Sequence, residues 1–305
     1  MTKKRLTAYL LLTFTSIIWG IAGPVIKHTL QFIPPFTFLF WRFLLVSLIF
    51  LPFFLLCARK EKETLKTLLP IVPIGFLGIP LCLTFVFLGF ERTTALDGTI
   101  LSALAPIFIV LAGVFFLKEK VTKIEAVGLA IAIAGTVVMI SQPLLEGKSF
   151  AQQNLLGNIL IIVSDIVWAA YVIASKVEFK KHSPFVITAI SFFTGLVAIF
   201  PLALIETKQL FAISNMPSAA LPGLLYMVIL SSVLAYFAFE SGLRLIEASE
   251  TTLFAYLQPI FAAPVAILWL GEKITSPFLL GAAIVAIGIF LSEFRRPRVA
   301  SREEK

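Results

Sequence analysis

Charge is scarce in these 305 residues: Asp, Glu, Lys and Arg make up 14%, against 59% hydrophobic. A soluble domain is roughly half apolar and about a quarter charged. Thirty phenylalanines and a mean hydropathy of +1.00 do not fit one water-soluble core. The solvent that suits them is a bilayer, whose ~30 Å hydrocarbon core takes about 20 apolar residues as a helix. Cysteine and histidine, two of each, are nearly missing. Cys57 and Cys82 lie in or beside apolar stretches without metal or redox spacing, so they read as small hydrophobes and give no disulfide framework. His28 and His182 fall at or beyond the ends of apolar runs and take no catalytic role. No phosphate-binding loop, metal-ligand cluster or Ser/His/Asp set is present. No cofactor or metal is therefore expected, and any pumping must draw on an ion gradient or on the substrate's own gradient. The net charge of +8 raises nucleic acid as a partner, but no basic stretch is interleaved with aromatics, so none is expected.

What the chain does have is long apolar runs. Bounded by charge, Pro or Gly, they fall at about 8–26, 36–57, 68–90, 97–117, 123–141, 155–176, 185–205, 217–240, 248–270 and 277–294. Each is near the length a helix needs to cross a bilayer. Helix is the expected conformation, because in lipid every backbone N–H and C=O must be satisfied within its segment or in a closed barrel. The short alternating segments of a barrel are not seen. The start, "MTKKRLTAYLLL", mimics a signal peptide, but its run is long for one and has a partner later in the chain. It is expected to stay as the first helix.

With the N-terminus inside, the inner segments carry 19 Lys and Arg and the outer segments five: Lys27, Arg92, Lys148, Lys208 and Lys273. Basic residues collect in cytoplasmic loops, so both termini are expected in the cytoplasm.

"LKEKVT" at 117–122 returns as "LGEKIT" at 270–275. The match extends without a gap at an offset of 153, pairing Thr99 with Thr252, Pro106 with Pro259, Glu119-Lys120 with Glu272-Lys273, and Gly128 and Gly135 with Gly281 and Gly288. Earlier in each half the offset is 149, pairing Trp19 with Trp168 and Lys27 with Lys176. Five spans per half is an odd number, so the second half enters from the opposite side. The expectation is an all-α polytopic membrane protein of ten transmembrane helices in two inverted five-helix repeats. The first repeat covers 8–141, an outer linker 142–154, the second repeat 155–294, and a charged cytoplasmic tail 295–305. Such repeats are a recurring build of secondary transporters, with substrate bound near the midplane between the halves. The hexapeptide itself reads as a helix-hairpin corner, with Thr122 and Glu125 fitting a capping box and Thr275-Ser276-Pro277 a cap before an early Pro.

These residues resemble the paired EamA domains of the drug/metabolite transporter superfamily. The resemblance rests on the two L-x-E-K corners, Trp19-Gly20 in the first helix, Arg42-Phe43 in the second, and a Pro inside the fourth and ninth. It spans about 8–294. It implies a multi-pass carrier of small metabolites in the plasma or inner membrane, often an exporter, with a central cavity between the halves. It names no substrate, since the family moves amino acids, nucleosides, drugs and other solutes, and a homodimer is compatible with it.

Asp165, near the middle of the sixth span, carries the strongest chemical signal. A charge at the bilayer centre costs ~2.5–3.5 kcal/mol by insertion scales, so such a residue is a functional candidate. It suits a proton carrier; it also suits an interhelical hydrogen bond that packs the bundle. Its counterpart is Ser16, so the feature belongs to one half. Arg42, about a turn and a half into the second span, either snorkels outward or faces the cavity to meet an anionic substrate. Glu240, near the inner end of the eighth span, either reaches the headgroups or joins Asp165 in coupling. Trp19, Trp168, Tyr171, Tyr236, Tyr256 and Gln258 are the expected substrate wall, though any one ring taken alone serves as well for packing. Pro106 and Pro259 mark hinges or kinks. The competing readings are a lipid-linked flippase, an intramembrane enzyme and a scaffold or sensor. An enzyme needs two convergent acid/base or metal-binding groups at one depth, and only Asp165 lies deep. A sensor needs a soluble domain, and none is appended.

Overall fold

The computed structural model describes residues 3–118, 122–140, 152–207, 210, 216–273 and 276–294, and among them helix is the only regular structure. The chain runs through α1 (Lys3–Thr29), α2 (Pro35–Lys60), α3 (Ile71–Arg92), α4 (Ala95–Leu117) and α5 (Lys123–Ile140). It continues through α6 (Gln152–Glu178), α7 (Pro184–Glu206), α8 (Ser218–Leu245), the two pieces of α9 (Ala248–Ala255 and Gln258–Leu270) and α10 (Ser276–Phe294). Seven of these helices are long and apolar enough to cross a membrane, and shorter apolar stretches fall at Ala126–Gly135, Gln258–Leu270 and Leu279–Gly288. Large apolar side chains face outward along the bundle, among them Leu10, Phe115, Phe116, Val197, Ile205 and Leu268. In water such a surface would aggregate; in lipid it is the solvated face. Of the linker expected at 142–154, residues 152–154 begin α6, and the rest lies outside the described residues together with the tail at 295–305. Of the two proposed caps, Thr275 lies there too, and the side chain of Glu125 is likewise outside what the structure describes.

The helices start and stop for local reasons. α2 and α7 each open on a Pro, whose fixed φ suits the first helical turn and whose missing N–H would have no partner there. α4 and α9 are broken. In α4 a 3-10 turn at Ser102–Leu104 precedes Ala105-Pro106, and in α9 a turn at Tyr256–Leu257 precedes Gln258-Pro259. Each Pro therefore sits at the start of the second piece, not inside an unbroken helix. Three helices also carry wide π turns, Leu77–Leu81 in α3, Gly113–Leu117 in α4 and Tyr226–Leu234 in α8.

Contacts between the halves come in reciprocal pairs. A methyl added at Gly89 of α3 would stand 2.6 Å from Ile161 Cδ1 and 3.1 Å from Gly157 O of α6; one added at Gly242 of α8 would stand 2.8 Å from Leu12 Cγ and 3.4 Å from Ala8 O of α1. Ala8 and Leu12 are the counterparts of Gly157 and Ile161, and Gly89 of Gly242, at the offsets found in the sequence. At the α5–α10 seam, a methyl added at Gly135 would stand 2.7 Å from Gly281 O, and one added at Gly288 2.5 Å from Gly128 O. Any side chain here would push the helices apart, which is why small residues recur on both. The two aligned lysines do one job. Lys27 Nζ donates to Phe90 O (3.0 Å) and Glu91 O (3.3 Å) at the end of α3, while Lys176 Nζ donates to Leu243 O and Ile246 O at the end of α8. Each closes the orphan carbonyls of a helix C-terminus and complements its dipole.

Candidate functional site

The reciprocal packing leaves a cavity of about 160 Å³ between the halves, lined from α1, α2, α3 and α4 on one side and α6, α8 and α9 on the other. A cavity of ~150 Å³ is enough for a benzene-sized guest, so this one has room for a small organic solute. Its wall is aromatic. Trp19 and Trp168, one from each half, meet edge to face with centroids 5.5 Å apart. Tyr236 packs edgewise on both at 5.1 and 6.0 Å, and Phe239 lies against both at 5.2 Å. Trp19 is oriented by a hydrogen bond from Nε1 to Ser231 O at 3.1 Å, a carbonyl within the π turn of α8.

Two charged side chains break this apolar wall. Arg42 lines the cavity and is 1% exposed, the largest fully buried side chain among the described residues. It does not snorkel: Nε donates to Ser232 Oγ at 2.8 Å, Nη2 to Ser231 Oγ at 3.5 Å, and the guanidinium sits 5.9 Å from the Phe87 ring centroid. Ser232 Oγ in turn donates to Met227 O at 2.7 Å, a bond across five residues that follows the π turn. Asp165 also lines the cavity, at 4% exposure, and its Oδ2 has no hydrogen-bond partner among the described residues. A guanidinium has five donors and here uses two, and a carboxylate has about four acceptor positions. The site therefore holds unspent hydrogen-bonding capacity of both signs beside aromatic faces.

Of the residues singled out in the sequence, Trp19, Arg42, Asp165, Trp168, Tyr236 and Gln258 come together on the cavity. Tyr171 and Tyr256 stand outside the lining, Tyr171 behind Trp168 at 5.2 Å and Tyr256 in a separate apolar cluster with Ala95 and Ala266. Glu240 does not reach a headgroup; it is wholly buried, and Tyr171 Oη donates to its Oε1 at 2.5 Å. Pro106 and Pro259 lie beside the cavity's Ala105 and Gln258, at the breaks in α4 and α9. Sequence reasoning passed over Ser231 and Ser232, which orient Arg42 and Trp19. Their signal was faint, a pair of hydroxyls in the middle of an apolar run. It also missed what the corner glutamate does: Glu272 accepts from the backbone N–H groups of Ala95 (2.8 Å) and Leu96 (2.9 Å) at the start of α4.

The model of the EamA-like transporter family matches twice, over residues 6–141 and 155–294. The chain belongs to that family. It is a multi-pass membrane protein, a transporter and not an enzyme. Relatives extend over nearly its whole length. An "Uncharacterized transporter" of Archaeoglobus fulgidus is 28% identical over 93% of this chain and 96% of its own. "Uncharacterized transporter YyaM" of Bacillus subtilis is 25% identical over 99% of both. A Salmonella typhimurium protein with the name "Probable amino-acid metabolite efflux pump" is 27% identical over 91% of this chain and 92% of its own. A solved structure titled "Crystal structure of protein" superposes with a TM-score of 0.73, covering 96% of this chain at 16% identity, a likeness of fold.

Proposed function

We propose that the chain is a secondary transporter, probing the two sides of the plasma membrane in turn and exporting small organic solutes with charged groups on an apolar body, amino acids first among them. The observation that carries this reading is that one aromatic cavity between the halves is lined by both buried Arg42 and Asp165, whose Oδ2 has no partner among the described residues. Burying two ionisable groups costs several kcal/mol in a membrane. That cost suits a site whose ligand supplies the missing partners. The build is ten transmembrane helices in two inverted five-helix repeats, 8–141 and 155–294, with both termini cytoplasmic. The family match in two copies and the reciprocal contacts of α1 with α8 and α6 with α3 support it. The halves rock about the breaks at Pro106 and Pro259, and substrate binds near the midplane. Asp165 carries the coupled proton, with Glu240 behind it; Trp19, Arg42, Trp168, Tyr236 and Gln258 contact the solute. A lipid-linked flippase draws no support from a cavity this small.

The test is counterflow in proteoliposomes preloaded with amino acids, nucleosides and organic cations, comparing wild type with Asp165→Asn. Wild type accumulates at least one labelled compound. The mutant keeps exchange of that compound but loses uptake driven by a pH gradient. Gradient-driven uptake equal to wild type would remove the proton role from Asp165. No accumulation of any compound by folded protein would turn the reading toward the flippase.

A further inference from the structure

Five buried side-chain polar atoms lack a hydrogen-bond partner among the described residues, and four lie on or against α6: Asp165 Oδ2, Ser175 Oγ, Glu178 Oε2, and Glu240 Oε2 from α8. Buried polar atoms are nearly always satisfied, so a cluster of exceptions calls for a cause. Tyr171, Ser175, Glu178 and His182 recur at spacings of four, three and four, which stacks them on one helical face. The backbone bond from His182 N to Glu178 O carries that face past the helix end.

The side chains make a broken line of polar atoms. Tyr171 Oη meets Glu240 Oε1 at 2.5 Å, and Ser175 Oγ stands beside that phenol without a well-formed bond to it. Glu178 Oε2 lies 3.8 Å from His182 Nε2, and His182 Nδ1 lies 2.7 Å from Glu63 Oε1, from the segment joining α2 to α3. At the cavity end, Glu240 is one turn from Tyr236 and Tyr171 packs on Trp168, both of them wall residues. At the other end, His182 and Glu63 are each 5% exposed, beside Lys181 at 68%. From Tyr171 to Glu178 the helix rises about 10 Å, with Ser175 between them on the same face. A bridging water joins polar atoms up to ~5.5 Å apart.

The same face in the other half is inert. The counterparts of Tyr171, Ser175, Glu178, His182 and Glu240 are Ala22, Ile26, Thr29, Ile33 and Phe87. A helix in the same packing role thus does without the polar stripe, so packing does not require it.

We infer that Glu63, His182, Glu178, Ser175, Tyr171 and Glu240 form a proton path from the His182 end of the molecule to the back of the cavity wall. The inference rests on the proton-coupled reading above and supplies its route. A proton taken up between His182 and Glu63 passes to Glu178. The hydroxyls of Ser175 and Tyr171 each release a proton as they accept the next, and Glu240 receives it. The charged and titratable neighbours are Lys181 on Glu178 and Tyr236 near Glu240, and the Thr67 hydroxyl donates to Glu63. Lys176 is engaged with the α8 carbonyls, and Arg42 with the α8 serines.

The test uses full-length protein in nanodiscs, with protons as the probe. Infrared pH titration reads the buried carboxyls, assigned by loss of bands in Asp165→Asn and Glu240→Gln. The rate at which the Glu240 band follows a pH jump is then measured. Ser175→Ala, Tyr171→Phe and Glu178→Gln each slow it at least about tenfold, equivalent to ~1.4 kcal/mol of barrier. Glu178→Asp keeps most of the rate, and Thr29→Val, the equivalent site of the other half, leaves it unchanged. An unchanged rate in all three path variants overturns the path and leaves coupling at Asp165 standing. Wild type in which neither carboxyl titrates overturns both. Should Glu178→Gln fail to fold, Ser175→Ala and Tyr171→Phe decide.

Discussion

Lys118 and Gly271 occupy the same place in the two corner hexapeptides, and both hold left-handed backbone, with φ of 56° and 69°. Each is the residue that ends its helix, at the π turn closing α4 and at the end of α9. A residue with a side chain pays roughly 1–2 kcal/mol there, and glycine does not. Lys118→Gly is therefore expected to stabilise the protein by about 1 kcal/mol, and Gly271→Lys to destabilise it by a similar amount. Thermal unfolding of both variants in one detergent reads the difference; a fall in Tm for Lys118→Gly would defeat this account of the corner. The repeated Glu-Lys was plain in the sequence, but the variable position before it carries the turn, and only the backbone shows that. Arg42 was ambiguous for a related reason. A position a turn and a half into a span allows either direction, and what turns it inward is Ser231-Ser232, some 190 residues away. The Tyr171–Glu240 pair, 69 residues apart on two helices, likewise leaves no local pattern to read.

Among the elements, α4 and α9 differ most from plain spans. Pro106 and Pro259 pointed to both breaks in advance, because Pro cannot continue the i→i−4 ladder. The π turns of α3 and α8 could not be foreseen in that way. They are one-residue insertions in the hydrogen-bond register, and their apolar sequences match those of ordinary helix. The broken α4 begins at a polar end that another element must satisfy. Glu272 does so from the α9–α10 corner, placing a carboxylate where the helix dipole and two orphan N–H groups favour it. Glu272→Gln keeps one acceptor and removes the charge, so it is expected to cost ~1 kcal/mol; Glu272→Ala removes both and is expected to cost ~1–2 kcal/mol. Denaturation of the purified protein gives the ordering, and Glu272→Ala as stable as wild type would show that the cap contributes nothing. At the far end of α1, Arg5 and Tyr9 hold Glu250 at the start of α9. A tie between the halves thus sits at the start of each broken helix.

For the whole molecule, the informative fact is that cross-half contacts exchange partners. α1 packs on α8 through Leu12 and Gly242, and α6 packs on α3 through Ile161 and Gly89. Contacts in which i meets j′ and j meets i′ are the mark of a two-fold relation, here within one chain. The sequence carried this relation openly, because Gly, Pro, Trp and Lys in register cannot come from apolar composition. It did not show which residues meet across the axis, since matching positions in two repeats says nothing of their partners. An axis lying in the membrane plane has a consequence that a parallel repeat does not share: the two corners must face opposite compartments. Lys118 and Lys273 are both exposed and suit a direct test. With Cys57→Ser and Cys82→Ala as background, Lys118→Cys in sealed right-side-out vesicles is expected to react with a membrane-impermeant maleimide only after permeabilisation, and Lys273→Cys before it. The expectation follows from the basic residues, because the segment around Lys118 belongs to the strongly basic set and such segments collect in the cytoplasm. The reverse pattern would keep the inverted repeats and turn the molecule over, moving the His182 end of α6 to the outer face. Labelling of both cysteines from one side would make the repeats parallel, and would leave alternating access about a central cavity without its symmetry.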